Sequence, residues 1–303
     1  MTIFLTLLAA FFIAFISSAT LVLFFVGPTV LLHPRRRTEE FYRNLGQPVI
    51  PSEVGLQYDD FNVIVAPGIK LSSWFVKAEA PVRGTVIYLH GVADCKMDGI
   101  RFAKLLHEHH YNVFLYDSRR HGLSDGSYCT YGFHEKHDVS KIIDYLESRK
   151  DITLGNVALF GTSMGAAVGI QASAIDKRIK GVIAENSFAT LRTIFDDYQK
   201  RMIKLPFHFL RNIVIKRSEA RAQFKANDVS PLDVVGEIDI PILFIYGTED
   251  HLINHNYSKL LYERKKEPKE VFPIEHAKHN DTWNVVGKVY EEKLLDFFER
   301  CMK

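Results

Sequence analysis

From Met1 to Leu32 no side chain carries a charge, and apolar residues fall on every side of a helical projection rather than along one stripe. A core helix would keep a polar face, and the run exceeds the ~20 residues that cross a bilayer as a helix. A cleaved leader is the competing reading, with Ser17, Ser18 and Ala19 as its cleavage site. Such a leader carries Lys or Arg ahead of a short apolar core. Here none precedes the run, and the run continues well past Ala19. The pattern therefore predicts an uncleaved, single-pass membrane anchor over residues 1–32. Arg35, Arg36 and Arg37 follow it and only the α-amino group precedes it. The positive-inside rule then puts the rest of the chain in the cytoplasm.

The pattern changes twice after the anchor. Residues 33–53 are polar and punctuated by Pro34, Pro48 and Pro51, which predicts a juxtamembrane linker. From residue 54 to 303 short apolar runs alternate with amphipathic stretches, the signature of an α/β domain with a mostly parallel sheet. Asp59–Val65 and Ile69–Lys77 flank Pro67-Gly68 as an opening hairpin. Strands follow at Thr85–Leu89, Val113–Tyr116, Val157–Phe160, Gly181–Ala184, Ile242–Tyr246 and Glu270–Phe272. Helices are expected at Asp98–His109, Glu135–Ser148, Ala166–Ile175 and Lys288–Cys301. Between about residues 187 and 232 the alternation lapses into a stretch rich in Phe, Arg and Lys. It is too long for a simple connection and reads as a helical cap. Because the sheet begins only after residue 53, a fragment spanning 38–303 is expected to be soluble and active.

Composition narrows the picture only slightly. A formal charge of +2 over 303 residues gives no electrostatic reason to expect a nucleic-acid partner. Cys95, Cys129 and Cys301 are odd in number and widely spaced, so they predict free thiols rather than a disulfide framework. His107, His109 and His110 do not share one helical face, so no metal site is expected there.

The chemistry lies in Gly161-Thr162-Ser163-Met164-Gly165. This G-x-S-x-G run follows a strand (VALF) and precedes a helix rich in Ala and Gly, the context in which the motif carries a nucleophilic serine. A serine hydroxyl needs a base, and the base needs a carboxylate to orient it. In chain order the acid comes next, then the histidine. The strand ILFIY ends in Gly247-Thr248-Glu249-Asp250, offering Glu249 or Asp250. The loop before the last helix offers His276 or His279.

These segments resemble the α/β-hydrolase superfamily, and within it the serine aminopeptidase-like group, which includes membrane-anchored α/β-hydrolase-domain proteins. The resemblance spans about residues 54–303 and rests on YLHG (88–91), YDSRRHGLSDG (116–126), YGFHEKHDV (131–139), GTSMG (161–165), GTEDHLI (247–253) and HAKHND (276–281). It implies an eight-stranded-type sheet with helices on both faces. It selects Asp250 and His279 to complete a triad with Ser163. It places the backbone N–H groups of Val92 and Met164 in the oxyanion hole. Asp117, His121 and Ser124 are implied to hold a turn, and His90 to buttress a loop. Two positions depart from the family pattern: the VADCK loop lacks the extra glycines of many lipases, and Ala277 stands where glycine is usual. The expected activity is hydrolysis of a carboxylic ester or thioester, with a lipophilic acyl substrate and no metal or organic cofactor. The alternatives are a peptidase or amidase of the same fold and a non-catalytic, membrane-tethered interaction protein.

The charge asymmetry makes a prediction about topology. Neutralising Arg35–Arg37 and adding lysines after Met1 should weaken or invert the orientation. Protease access to the domain in sealed vesicles measures it. Digestion of the unaltered chain from outside overturns the cytoplasmic assignment, and a mature chain beginning near residue 20 overturns the anchor.

Overall fold

The computed structural model describes residues 1–202 and 208–303. Its centre is one eight-stranded sheet in the order β1-β2-β4-β3-β5-β6-β7-β8. The strands are β1 (Asp59–Ala66), β2 (Ile69–Val76), β3 (Gly84–Leu89), β4 (Tyr111–Tyr116), β5 (Val157–Thr162), β6 (Ile179–Glu185), β7 (Ile242–Gly247) and β8 (Lys269–Ile274). Only β2 runs against its neighbours; β4, β3 and β5 to β8 are parallel. Every residue of β3, β4 and β7 is buried. That is why these segments read as unbroken apolar runs rather than alternating ones.

Alternate residues of each strand feed two cores. Ile87, Leu89, Phe114 and Leu159 point into one; Val86, Tyr88, Leu115 and Phe160 point into the other. The first core is covered by helices Glu135–Ser148 and Met164–Ile175, the second by Ile100–His107 and Lys288–Cys301. The predicted bounds of Glu135–Ser148 and Lys288–Cys301 agree with the structure. Helices Asn256–Arg264 and Thr282–Val286 were not anticipated. The cap stretch holds helices Leu191–Met202 and His208–Ala222; its residues 203–207 lie outside the described residues.

The strand order reverses at β3, which lies between β4 and β5. A crevice opens beyond the carboxyl ends of strands at such a switch point. The loop after Leu89 and the turn after Thr162 meet there, because Leu89 pairs with Gly161.

Thr2–Leu32 forms one long apolar helix, with a wider π-turn at Val22–Val26. It is long and apolar enough to cross a membrane. None of Thr2–Leu21 is buried, and those 20 residues rise about 30 Å. The last turns dock on the rest of the chain. Pro28 has no N–H to offer the carbonyl of Phe24, and Arg221 Nη2 of the cap helix donates to it at 3.1 Å. A Cβ on Gly27 would lie 2.8 Å from Val214 Cγ2. The N–H of Cys129 donates to Leu32 O at 3.0 Å, and Tyr131 OH to Leu31 O at 2.6 Å. Residues 33–53 are folded as well: Glu39–Asn44 is a helix, and Tyr42 and Val49 pack with Cys95.

Gly165 marks the tightest crossing. A Cβ there would stand 1.9 Å from Leu89 O, a backbone atom held in the sheet. We predict that Gly165→Ala costs ~3 kcal/mol or more. Gly68→Ala, where φ is +71° but no atom lies within 4 Å, should cost only ~1–2 kcal/mol. Thermal midpoints of the two variants measure the contrast, and equal losses would refute the crossing as a constraint.

Candidate active site

Ser163 occupies the single residue between β5 and helix Met164–Ile175, at φ 53° and ψ −114°. A residue with a Cβ adopts such a backbone only when its surroundings hold it there. The Ser163 N–H donates to Glu185 O at 2.8 Å. Gly161 and Gly165 leave space for the turn: a Cβ on Gly161 would sit 2.4 Å from Gly165 O. The hydroxyl-bearing side chain is thereby presented at the crevice.

The two acid candidates and the two base candidates sort into two separate pairs. His279 Nδ1 lies 2.6 Å from Asp250 Oδ2, with the Asp250 side chain 1% and the His279 side chain 13% exposed. The other Asp250 oxygen accepts N–H bonds from Leu252 at 2.7 Å and Ile253 at 2.8 Å. The carboxylate is thus fixed, with Oδ2 left for the imidazole. His276 Nδ1 meets Glu249 Oε1 at 2.9 Å, but out in solvent, with His276 84% exposed. Ser163 and His279 line one cavity of about 460 Å³, together with Val92, Phe41, Leu252 and Trp283.

Val92 follows β3 in the tight turn closed by Asp94 N–H to Gly91 O at 3.2 Å. A Cβ on Gly91 would lie 3.4 Å from Ser163 Cβ, so this loop runs directly beside the serine. Met164 opens its helix, where N–H groups lack internal acceptors.

Two residues at the site escaped the sequence reading. Asn186, at φ 51°, donates from Nδ2 to His279 O at 2.9 Å and accepts at Oδ1 from Gly247 N–H at 3.1 Å. It joins the histidine loop to the end of β7. The buried Glu185 carboxyl accepts from Thr282 Oγ1 and Tyr290 OH, and burial raises its pKa. The only sequence signal for either was their position immediately after a buried strand.

The rings of His90 and His121 meet edge-on behind the loop, with centroids 5.0 Å apart. His90 Nδ1 pairs with Gly91 O at 2.8 Å, and its Nε2 accepts from Ser118 N–H at 2.9 Å; both ring nitrogens are thereby used structurally. Ser124 Oγ donates to Asp117 O at 2.6 Å and accepts from Ser72 N–H at 2.8 Å. Asp117 Oδ2 accepts from Leu123 N–H at 2.9 Å.

Residues 80–232 match the family described as "Serine aminopeptidase, S33". The chain is similar to protein YqkD of Bacillus subtilis, 27% identical over 84% of this chain and 83% of that one. It is similar also to the α/β hydrolase domain-containing protein WAV2 of Arabidopsis thaliana, 26% identical over 84% and 82% of the two chains. Among solved structures, the Pyrococcus furiosus esterase Pf2001 superposes with a TM-score of 0.73 at 25% identity, covering 90% of this chain and 99% of that one. The Pyrococcus horikoshii acylaminoacyl peptidase shares the fold, with a TM-score of 0.62 at 17% identity over 82% of this chain and 42% of that one.

The histidine pair behind the loop gives the protein an acid-sensitive point. Burial, reinforced by the neighbouring His90, pushes the pKa of His121 down to about 3, and burial lowers that of His90 too. An unfolded histidine takes up a proton below about 6.5. The His121 contribution is therefore complete above that pH and declines as pH falls towards 3, by about 1.4 kcal/mol per unit, and His90 adds a loss in the same direction. We expect His121→Asn, which keeps a donor for Arg119 O, to flatten this slope. Thermal midpoints between pH 7 and pH 4 measure it, and an unaltered slope places the acid sensitivity elsewhere.

Proposed function

The chain belongs to the serine aminopeptidase S33 family of α/β hydrolases, and we propose that it hydrolyses carboxylic esters or thioesters through an acyl-enzyme on Ser163. One observation carries the reading: His279, paired with the buried Asp250 at 2.6 Å, lines the same cavity as a serine held in a strained turn. In this reading Asp250 orients the imidazole and stabilises its protonated form, and His279 Nε2 takes the proton from Ser163 Oγ as the oxygen attacks the acyl carbon. The N–H groups of Val92 and Met164 bear the charge that develops on the carbonyl oxygen. His279 then protonates the leaving alcohol or thiol. A water deprotonated by the same imidazole releases the acid and restores the serine.

The esterase Pf2001 as structural neighbour favours an ester over an amide. Phe41, Leu45, Leu252 and Trp283 on the cavity wall suit a lipophilic acyl group. The apolar N-terminal helix suits a membrane-derived substrate, with the helix as anchor and the catalytic domain on the cytoplasmic side.

Fluorophosphonate labelling and turnover of an acyl-ester chain-length panel test the assignment. Ser163→Ala should abolish both without loss of folding. His279→Ala should cost several orders of magnitude, because such residues act as a unit, and His276→Ala far less. Asp250→Asn should cost more than Glu249→Gln. Persistent labelling of S163A refutes the nucleophile, and the reverse histidine ranking moves the base to the solvent-exposed pair.

A further inference from the structure

The loop that carries Val92 is held from two sides, and one of them is the segment that follows the apolar helix. On the inner side Lys96, 2% exposed, lies 3.4 Å from Asp117. Its N–H donates to Asp117 Oδ1 at 2.7 Å, and its ammonium also reaches Ser72. On the outer side Arg37 N–H donates to Ala93 O at 3.3 Å. The Arg37 guanidinium pairs with Asp94, and Tyr42 OH donates to the same carboxylate oxygen at 3.1 Å. Ala93, between Val92 and Asp94, has a φ of 67°, a left-handed backbone that a residue with a Cβ keeps only under constraint. Arg36 grips the neighbouring turn as well, donating to Gly122 O at 2.9 Å and Ser124 O at 3.1 Å. Arg37, Asp94, Val92 and Ser163 all line the same cavity.

We infer that Arg37 is a positioning residue for the oxyanion hole: through Ala93 O and Asp94 it holds the strained loop so that the Val92 N–H faces the oxygen on which charge develops. The inference rests on the acyl-enzyme reading given above. A donor must sit within about 0.5 Å of the productive geometry to act, and loss of one oxyanion donor costs about 10²–10³ in kcat. The ground-state substrate depends little on that donor, so displacing it lowers kcat more than it raises KM. The segment is therefore part of the catalytic domain. A fragment beginning at residue 38 lacks this arginine and, on this inference, turns over more slowly than the full chain.

The test uses the full chain in detergent with p-nitrophenyl butyrate as probe. Asp94→Asn leaves the arginines that set membrane orientation in place, and Arg37→Lys keeps their charge. Arg37→Gln, Asp94→Asn and the double variant should each lower kcat about tenfold to a hundredfold, with KM changed less than threefold. The double variant should be no slower than the worse single one. Arg37→Lys should recover part of the rate. The inference is overturned if kcat is unchanged, if the loss lies in KM alone, if the two losses multiply, or if the kcat loss equals the loss of folded protein on thermal titration. Ser163→Ala is assayed alongside: turnover surviving in that variant refutes the acyl-enzyme reading and the inference with it, whereas turnover lost in that variant but unchanged in the Arg37 and Asp94 variants refutes the role of Arg37 alone.

Discussion

Gly165 lies against the carbonyl of Leu89 so closely that no other residue could stand there: a single added carbon would come within 1.9 Å of the oxygen. This contact sets the distance between helix Met164–Ile175 and the end of β3. That distance decides how sharply the chain must turn after β5, and hence that Ser163 takes a backbone with φ 53°. It also brings the loop after His90 alongside the serine, since the loop begins one residue beyond the carbonyl in question. The nucleophile candidate and the donor candidate on Val92 are therefore neighbours because two backbones touch. The layers of side chains around them maintain that contact.

The parts of the molecule legible in the sequence are those governed by periodicity and by glycine. Strands such as Val157–Thr162 and Ile242–Gly247 are buried on both faces, so their apolar runs were unambiguous. GTSMG was readable because close backbone approach admits few residue types. The choices between Glu249 and Asp250 and between His276 and His279 could not be made from the residues themselves. Each pair contains the same chemistry, and what separates them is burial: one histidine–carboxylate pair is buried, the other stands in solvent. Burial of that kind arises from packing between segments distant in the chain. The same holds for Asn186, whose two hydrogen bonds join residue 247 to residue 279, and for Lys96, whose burial a stretch such as VADCK does not suggest.

Arg35, Arg36 and Arg37 show how one run of residues can serve two physical purposes. As charges after an apolar helix, they are of the kind that biases orientation when such a helix inserts. As hydrogen-bond donors, Arg36 and Arg37 reach carbonyls and a carboxylate in two separate turns of the domain. Only Arg35 of the three makes no such contact among the described residues. A reading by charge treats the three alike; the geometry of the guanidinium fork distinguishes them.

The grip of Arg221 on Phe24 has a bearing on how the chain tolerates change. The atom it holds is a main-chain oxygen, four residues before a proline that has no N–H to offer it. The side chains of Val22–Val26 can therefore drift among apolar types without weakening that hydrogen bond, since every residue brings the same carbonyl. The proline is more constrained, for a replacement would bring an N–H four residues beyond that oxygen, able to compete with the guanidinium for it. Sequence freedom in the helix and fixity of its junction with the cap thus coexist, separated by a single imino acid.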